Sequence, residues 1–171
     1  MKRCKCVILF FMLILLVGCG KTAMTPKELV QEASIILTVD DQTMLVDETM
    51  WRVTDKTKIK TQSGTKIAFT DLKMGDLISY ENDGPIAESY PGQGTLKKIT
   101  LLNDESSLKL SSAITSFLEN QPHGDLVRFE MLGIEGDELS AHIRVWDLEA
   151  NGQYLVQLNI ETNQFTIVEE S

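Results

Sequence analysis

A group of lysines is the first feature of this 171-residue chain that could bind a ligand. Lys56, Lys58 and Lys60 are spaced by two residues, so on a β-strand their side chains would project from one face. With Lys66 and Lys73 nearby in sequence, they could form a ridge that binds an anion, such as a wall polymer or a lipid headgroup. We favour the alternative, in which the lysines protect the edge of a sheet from aggregation.

A loop of unusual composition is the second candidate. Residues 82–94 connect two predicted strands and form a longer connection than is usual inside a compact domain. Its prolines make it stiff and its glycines allow sharp turns, so it could present a binding face. We favour the alternative that it packs over a barrel mouth with Tyr90 buried. The candidate binding residues of this loop are Gly84, Pro85, Glu88, Ser89, Tyr90, Pro91 and Gln93.

Residues that could support catalysis are few. His123 lies in a predicted turn, and His142 lies on the polar face of a predicted strand. The sequence has no HExxH zinc motif, no GxSxG nucleophile motif and no phosphate loop. An acidic turn at residues 135–138 lacks the spacing of an EF-hand. We therefore predict a protein that is not an enzyme and has no metal or cofactor, with an envelope hydrolase using Glu88 or Ser89 as an alternative.

The N-terminal segment is typical of an export signal. Residues 1–6 are basic, and the apolar run at residues 7–17 is too short to span a bilayer, which takes about 20 residues. The following Leu-Val-Gly-Cys at residues 16–19 resembles the lipobox that bacterial lipoprotein signal peptidase recognises. This resemblance implies that the Cys19 sulfur carries a diacylglycerol and that the chain is cut between Gly18 and Cys19. It also implies anchoring on the extracytoplasmic face of the cell membrane.

The processed chain would be strongly acidic and would lack free thiols. Cys4 and Cys6 would leave with the signal, and Cys19 would carry lipid, so neither a disulfide nor a cysteine nucleophile remains. Residues 19–171 hold 25 acidic and 13 basic residues, for a net charge of −12. Such a charge repels nucleic acid, and no aromatic residues alternate with the lysines to stack on bases. We expect the partners to be the membrane, through the lipid, and an unknown envelope protein or polymer.

The elements that must position these residues fall into two units. Residues 19–33 are polar and predict a tether, with one helical turn in its second half. Residues 34–105 contain at least five short β-rich segments separated by turn signals, which is typical of a small OB-like β-barrel.

The second unit, residues 106–171, begins with a predicted helix that Ser106 or Ser107 could cap. Four alternating strands follow, with Asn151-Gly152 as a hairpin signal. Together the two units predict a mainly β, α+β fold, in which the barrel precedes a helix and a four-stranded antiparallel meander. The apolar face of the helix is formed by Leu110, Ala113, Ile114, Phe117 and Leu118.

Two stretches resemble known families. Residues 84–93, with residues 71–76 and 97–99, resemble the signature of the YobA-type family, a domain of unknown function in small exported proteins of Gram-positive bacteria. This resemblance spans about residues 35–102 and implies an OB-like barrel and export, but no activity; Gly92 stands where we expect Ala. The second unit more loosely resembles PepSY-type modules through its helix, its meander and residues 158–163, which implies an interaction or inhibitory role.

These features together predict a lipid-anchored, non-catalytic protein that binds another component of the cell envelope. A module that binds anions or wall polymers through the lysines is the main alternative, and the hydrolase is the other.

Overall fold

A computed structural model describes residues 23–145 and 153–169 of the chain. The predicted signal at residues 1–18, the lipidation residue Cys19 and the hairpin signal Asn151-Gly152 lie outside these ranges. Within them, the fold is mainly β, with a curled half-barrel sheet, a separate four-stranded antiparallel sheet and two α-helices, as the sequence predicts at this level.

The strands of the half-barrel are β1 (Ser34–Ile35), β2 (Thr38–Asp40), β3 (Thr43–Val46), β4 (Thr49–Arg52), β5 (Lys58–Thr61), β6 (Leu77–Asn82) and β7 (Gly92–Leu101). The sheet is organised around the longest of them, β7. Residues of β6 pair with β7 antiparallel along one edge. On the other edge, β4 pairs in parallel with the first half of β7, and β5 with the second half. Because β7 is ten residues long, it holds two short strands in succession on one edge.

A buried tryptophan fixes how β4 lies against β7. Trp51 is 1% exposed and pairs in register with Gly94 on the neighbouring strand. A Cβ atom on Gly94 would lie only 2.4 Å from Cζ3 of the indole ring. Glycine is therefore required at this position by the close approach of the ring. The ring also packs against Tyr80, with the two ring centroids 5.1 Å apart.

The second unit is a helix packed on one face of an antiparallel sheet. Its strands β8 (Leu126–Glu135), β9 (Glu138–Val145), β10 (Gln153–Asn159) and β11 (Phe165–Glu169) pair in sequence order. The helix, α2 (Glu105–Asn120), buries Leu110, Ala113, Ile114 and Phe117, while Leu118 is partly buried. The prediction of a serine cap was wrong, because the Asp104 carboxylate accepts the backbone N–H of Ser107.

The two units share one core. The helix α1 (Pro26–Glu32) lies in the segment predicted as a tether, and its Leu29 is 1% exposed. Leu29, Leu45 and Leu77 pack in the same cluster of buried residues as Phe117 and Phe129 of the second unit. The predicted tether therefore ends in a helix, α1, that packs on the folded protein.

An ion-pair cluster also joins the units. Arg128 and Arg144 are opposed on β8 and β9, where like charges repel. The Glu48 carboxylate, from the turn between β3 and β4, accepts from both arginines, at 3.5 Å from Nη1 of Arg128. Glu48 also donates its backbone N–H to the Val127 carbonyl, so the turn is fastened to the second sheet.

Candidate functional site

A cluster of lysines lies on the outer face of the half-barrel. Lys58 of β5 pairs in register with Lys98 of β7, which in turn pairs with Glu81 of β6. A bulge in β7 leaves Lys97 as an extra residue, and its Nζ lies 3.9 Å from the Glu81 carboxylate, on the same face. We call this group the lysine surface: Lys56, Lys58, Lys60, Lys66, Lys97 and Lys98.

The lysine surface concentrates basic residues within an acidic protein. It holds six of the 13 basic residues found in residues 19–171. Glu81 accepts a hydrogen bond from Lys98, and this bond and the charges of Lys98, Lys97 and Lys58 lower the pKa of its carboxyl. Because one carboxylate faces several ammonium groups, an excess of positive charge remains to bind an anion.

The spacing of the lysines in the sequence predicted only part of the lysine surface. Lys58 and Lys60 project from one face of β5 as predicted, but Lys56 lies in the preceding turn rather than on the strand. The backbone of Lys66 forms an antiparallel β-bridge with that of Lys60, so Lys66 belongs to the lysine surface. Lys73 does not, because it lies in the turn that Asp76 closes at the opposite end of β6.

Lys97 and Lys98 were missed because they are about 40 residues from Lys58 in sequence. Their adjacency in the last predicted strand was visible in the sequence. Only the parallel pairing of β5 with β7 places them beside Lys58.

The glycine- and proline-containing loop projects from the half-barrel. The expectation that Tyr90 is buried was wrong, since its side chain is 57% exposed and Ile86 is 44% exposed. Hydrogen bonds within the loop hold its shape. The Ala87 N–H donates to the Gln93 carbonyl over 2.8 Å, and the Ser89 hydroxyl donates to the Pro91 carbonyl over 2.7 Å. The Ser89 hydroxyl is thus bonded to backbone rather than to a general base.

The remaining loop candidates lie on the same projecting segment. Gly84, Pro85 and Glu88 are exposed, as is Gln93 where the chain enters β7, while Pro91 is partly buried. Gly84 has a φ of +90° and accepts a hydrogen bond from the Asn82 side chain, so a glycine is favoured at this bend. The loop can therefore present Pro85, Ile86 and Ala87 to a ligand.

The acidic turn and the two histidines all lie in the second unit. Residues 135–138 form the tip of the β8–β9 hairpin, and the described ranges contain no cluster of three or more side chains suited to binding a metal. His123 stacks on Tyr154, with ring centroids 4.3 Å apart. His142 lies on β9 in register with Glu130 and Leu155.

Comparison of the chain with protein-family models, with curated proteins and with solved structures found no match. In the part of the chain that the structure describes, neither helix is long and apolar enough to cross a membrane.

Proposed function

We propose that this protein is a lipid-anchored, non-catalytic component of the cell envelope that binds an anionic polymer through its lysine surface. The lipobox supports anchoring through Cys19 on the outer side of the cell membrane. The observation that carries the binding function is the gathering of Lys58, Lys97 and Lys98 around Glu81 on the outer sheet face. Lys60 lies on the same face of β5 as Lys58, Lys66 bridges to Lys60, and Lys56 lies in the turn before β5.

The charge distribution favours a polymer over a small anion. At a net charge of −12, the processed protein as a whole repels anions, and only a local excess of positive charge attracts them. Exposed lysines bind phosphates and carboxylates as flexible point charges, and each contact is weak on its own. A polymer that touches several lysines at once gains from each contact and releases several counterions. Binding should therefore be strongly weakened by salt.

The resemblances to exported families are part of this proposal. We propose that the half-barrel is an OB-like barrel of the YobA-type family and that the second unit is a PepSY-like interaction module. The curled sheet, and a helix packed on an antiparallel meander, are compatible with those two architectures. Neither family implies catalysis, which agrees with the absence of catalytic motifs from the sequence.

The test is a triple substitution of lysine by glutamine. Lys56, Lys58 and Lys60 are replaced together in residues 19–171, and binding of fluorescent octaglutamate and of inorganic polyphosphate is measured by anisotropy between about 50 and 200 mM salt. We expect the affinity at low salt to fall at least about tenfold, and the slope of log K against log salt to decrease by about two.

A second triple variant controls for net charge. Replacing Lys27, Lys73 and Lys109 by glutamine removes the same charge away from the lysine surface. We expect its affinity to stay within about twofold of the unchanged protein. Equal losses in the two triple variants, or the absence of salt-sensitive binding in the unchanged protein, would show that the proposed function is wrong.

A further inference from the structure

A groove of about 400 Å³ lies beside the projecting loop. Its floor is the outer face of β3, β4 and β7, where Thr43, Arg52 and Thr95 form one row across the strands. Its lining is mixed, with apolar side chains, polar side chains and one cation. The residues that line it are Thr43, Met50, Arg52, Pro85, Ile86, Ala87, Gln93, Gly94 and Thr95.

Among the described residues that line the groove, Arg52 carries a charge. Arg52 is exposed, and its side chain makes no hydrogen bond or ion pair with another described residue. No acidic side chain is among the described residues that line the groove, although the chain as a whole is acidic. Ile86 overhangs the groove and is 44% exposed, so it offers apolar surface to a ligand. The groove thus combines an exposed guanidinium with an apolar wall.

The groove is continuous with the lysine surface along β7. Gln93 and Thr95 line the groove, and Lys97 and Lys98 follow on the same outer face of the strand. Since a strand rises about 3.3 Å per residue, Thr95 and Lys98 lie about 10 Å apart. A linear ligand that follows β7 therefore passes directly from the lysines to Arg52 and the groove.

We propose that the groove is a second subsite for the same ligand, in which an uncharged, partly apolar unit of the anionic polymer binds against Ile86 and Met50. Arg52 binds the anionic group next to that unit. This inference rests on the proposed function, because the lysine surface holds the rest of the chain. The ligand class is thus an anionic polymer that bears apolar substituents or ends in an apolar unit.

The shape of the site favours a chain over a flat lipid surface. The loop residues Pro85, Ile86 and Ala87 form a wall beside the strand face, and Arg52 lies on the floor. A planar bilayer surface would meet the projecting loop first. A narrow chain can lie in the recess and contact both the guanidinium and the apolar wall.

The test uses two fluorescent peptides and residues 19–171 of the protein. One peptide is octaglutamate, and the other is octaglutamate extended by Ala-Val-Leu amide. We expect the apolar extension to tighten binding about tenfold, since burial of one large aliphatic side chain gives an effect of this size. With Ile86→Ser, octaglutamate and the extended peptide should bind with the same affinity, within about twofold. Arg52→Gln should weaken binding of the extended peptide about fivefold or more.

Matched variants and a vesicle assay separate the outcomes. Leu132→Ser removes an aliphatic residue that is also 44% exposed but lies on the second sheet, and it should retain the gain. The groove inference is wrong if the extension adds nothing, or if Ile86→Ser and Leu132→Ser behave alike. It is also overturned if Ile86→Ser weakens binding to phosphatidylglycerol vesicles and leaves peptide binding unchanged. If the unchanged protein does not bind octaglutamate at all, the proposed function is refuted instead.

Discussion

Replacing Gly94 by alanine tests the packing that places the lysines together. The added Cβ would lie 2.4 Å from Cζ3 and 2.9 Å from Cε3 of Trp51, closer than carbon atoms approach in real structures. The indole is rigid and 1% exposed, so it cannot swing into solvent. Either the ring or the parallel pairing of β4 with β7 must shift.

The size of the effect follows from this geometry. Forcing an extra carbon into a well-packed core costs typically about 1–3 kcal/mol, and a rigid ring places this case near the upper end. Alanine restricts the unfolded chain more than glycine does, and this stabilises the folded protein by about 0.4–1 kcal/mol. We therefore expect Gly94→Ala to lower the free energy of unfolding by about 2 kcal/mol. With a urea m-value of about 2 kcal/mol per molar, the midpoint falls by about 1 M.

A second glycine in a strand gives the control. A Cβ on Gly133 of β8 meets nothing within 4 Å, so Gly133→Ala should leave the midpoint unchanged or raise it slightly. Urea unfolding followed by circular dichroism compares the two variants. If Gly94→Ala is as stable as Gly133→Ala, then Trp51 does not pack against β7, and the register that aligns β4 and β5 with β7 is wrong.

Three further predictions concern the ion pairs of Glu48 between the two units, the pKa of Tyr80 and the lipid anchor at Cys19. Glu48→Gln should lower the free energy of unfolding by about 1 kcal/mol, because Arg128 and Arg144 lose the carboxylate that they share. Glu130→Gln removes a more exposed ion pair with Arg128 and should have little effect on the urea midpoint. Burial, and then the Asp47 carboxylate, raise the pKa of Tyr80 above its usual 10.0, so the unfolded chain releases this proton first as the pH rises. The stability advantage of the unchanged protein over Tyr80→Phe should therefore shrink above about pH 10, and urea midpoints that keep a constant difference from about pH 8 to 11 would contradict this. Cys19→Ala, or globomycin treatment of cells, should leave unprocessed precursor on an immunoblot, and normal processing and release would refute the lipid anchor.

Local patterns of the sequence were enough to predict much of the fold. The spacing of apolar residues from Leu110 to Phe117 identified the helix α2, and strict alternation identified the strands of the second sheet. These signals depend on neighbours within a few residues, so they can be read without knowing the fold. The serine cap was wrong because the helix begins earlier than predicted, at Glu105, so that Asp104 is the N-cap and accepts the backbone N–H of Ser107.

The candidate site depended on contacts that are distant in sequence. The alternation of Lys58 and Lys60 predicted one row of charge, but Lys97 and Lys98 join it only through the parallel pairing of β5 with β7. Parallel pairing leaves no local signal, because the two strands are separated by a long connection. Arg52 likewise becomes part of a groove only when the loop folds beside β4.

The exposure of Tyr90 has a related cause. Aromatic loop residues are buried when a packed surface is within reach, which is the basis of the wrong expectation. The hydrogen bond between Ala87 and Gln93 ties the loop back to β7 at Ala87, and residues 88–90 beyond this point are exposed. Loop closure of this kind depends on backbone geometry that the residue types alone do not specify.

The most direct test of the account is to locate the bound polymer by nuclear magnetic resonance. Isotope-labelled protein, residues 19–171, is titrated with octaglutamate while the backbone amide signals are followed. If the lysine surface holds the polymer, the largest shifts fall on β5, on the second half of β7 from Lys97 to Leu101, and on Glu81 beside them. Shifts concentrated on the second sheet, or an unchanged spectrum at saturating peptide, would contradict binding at the lysine surface.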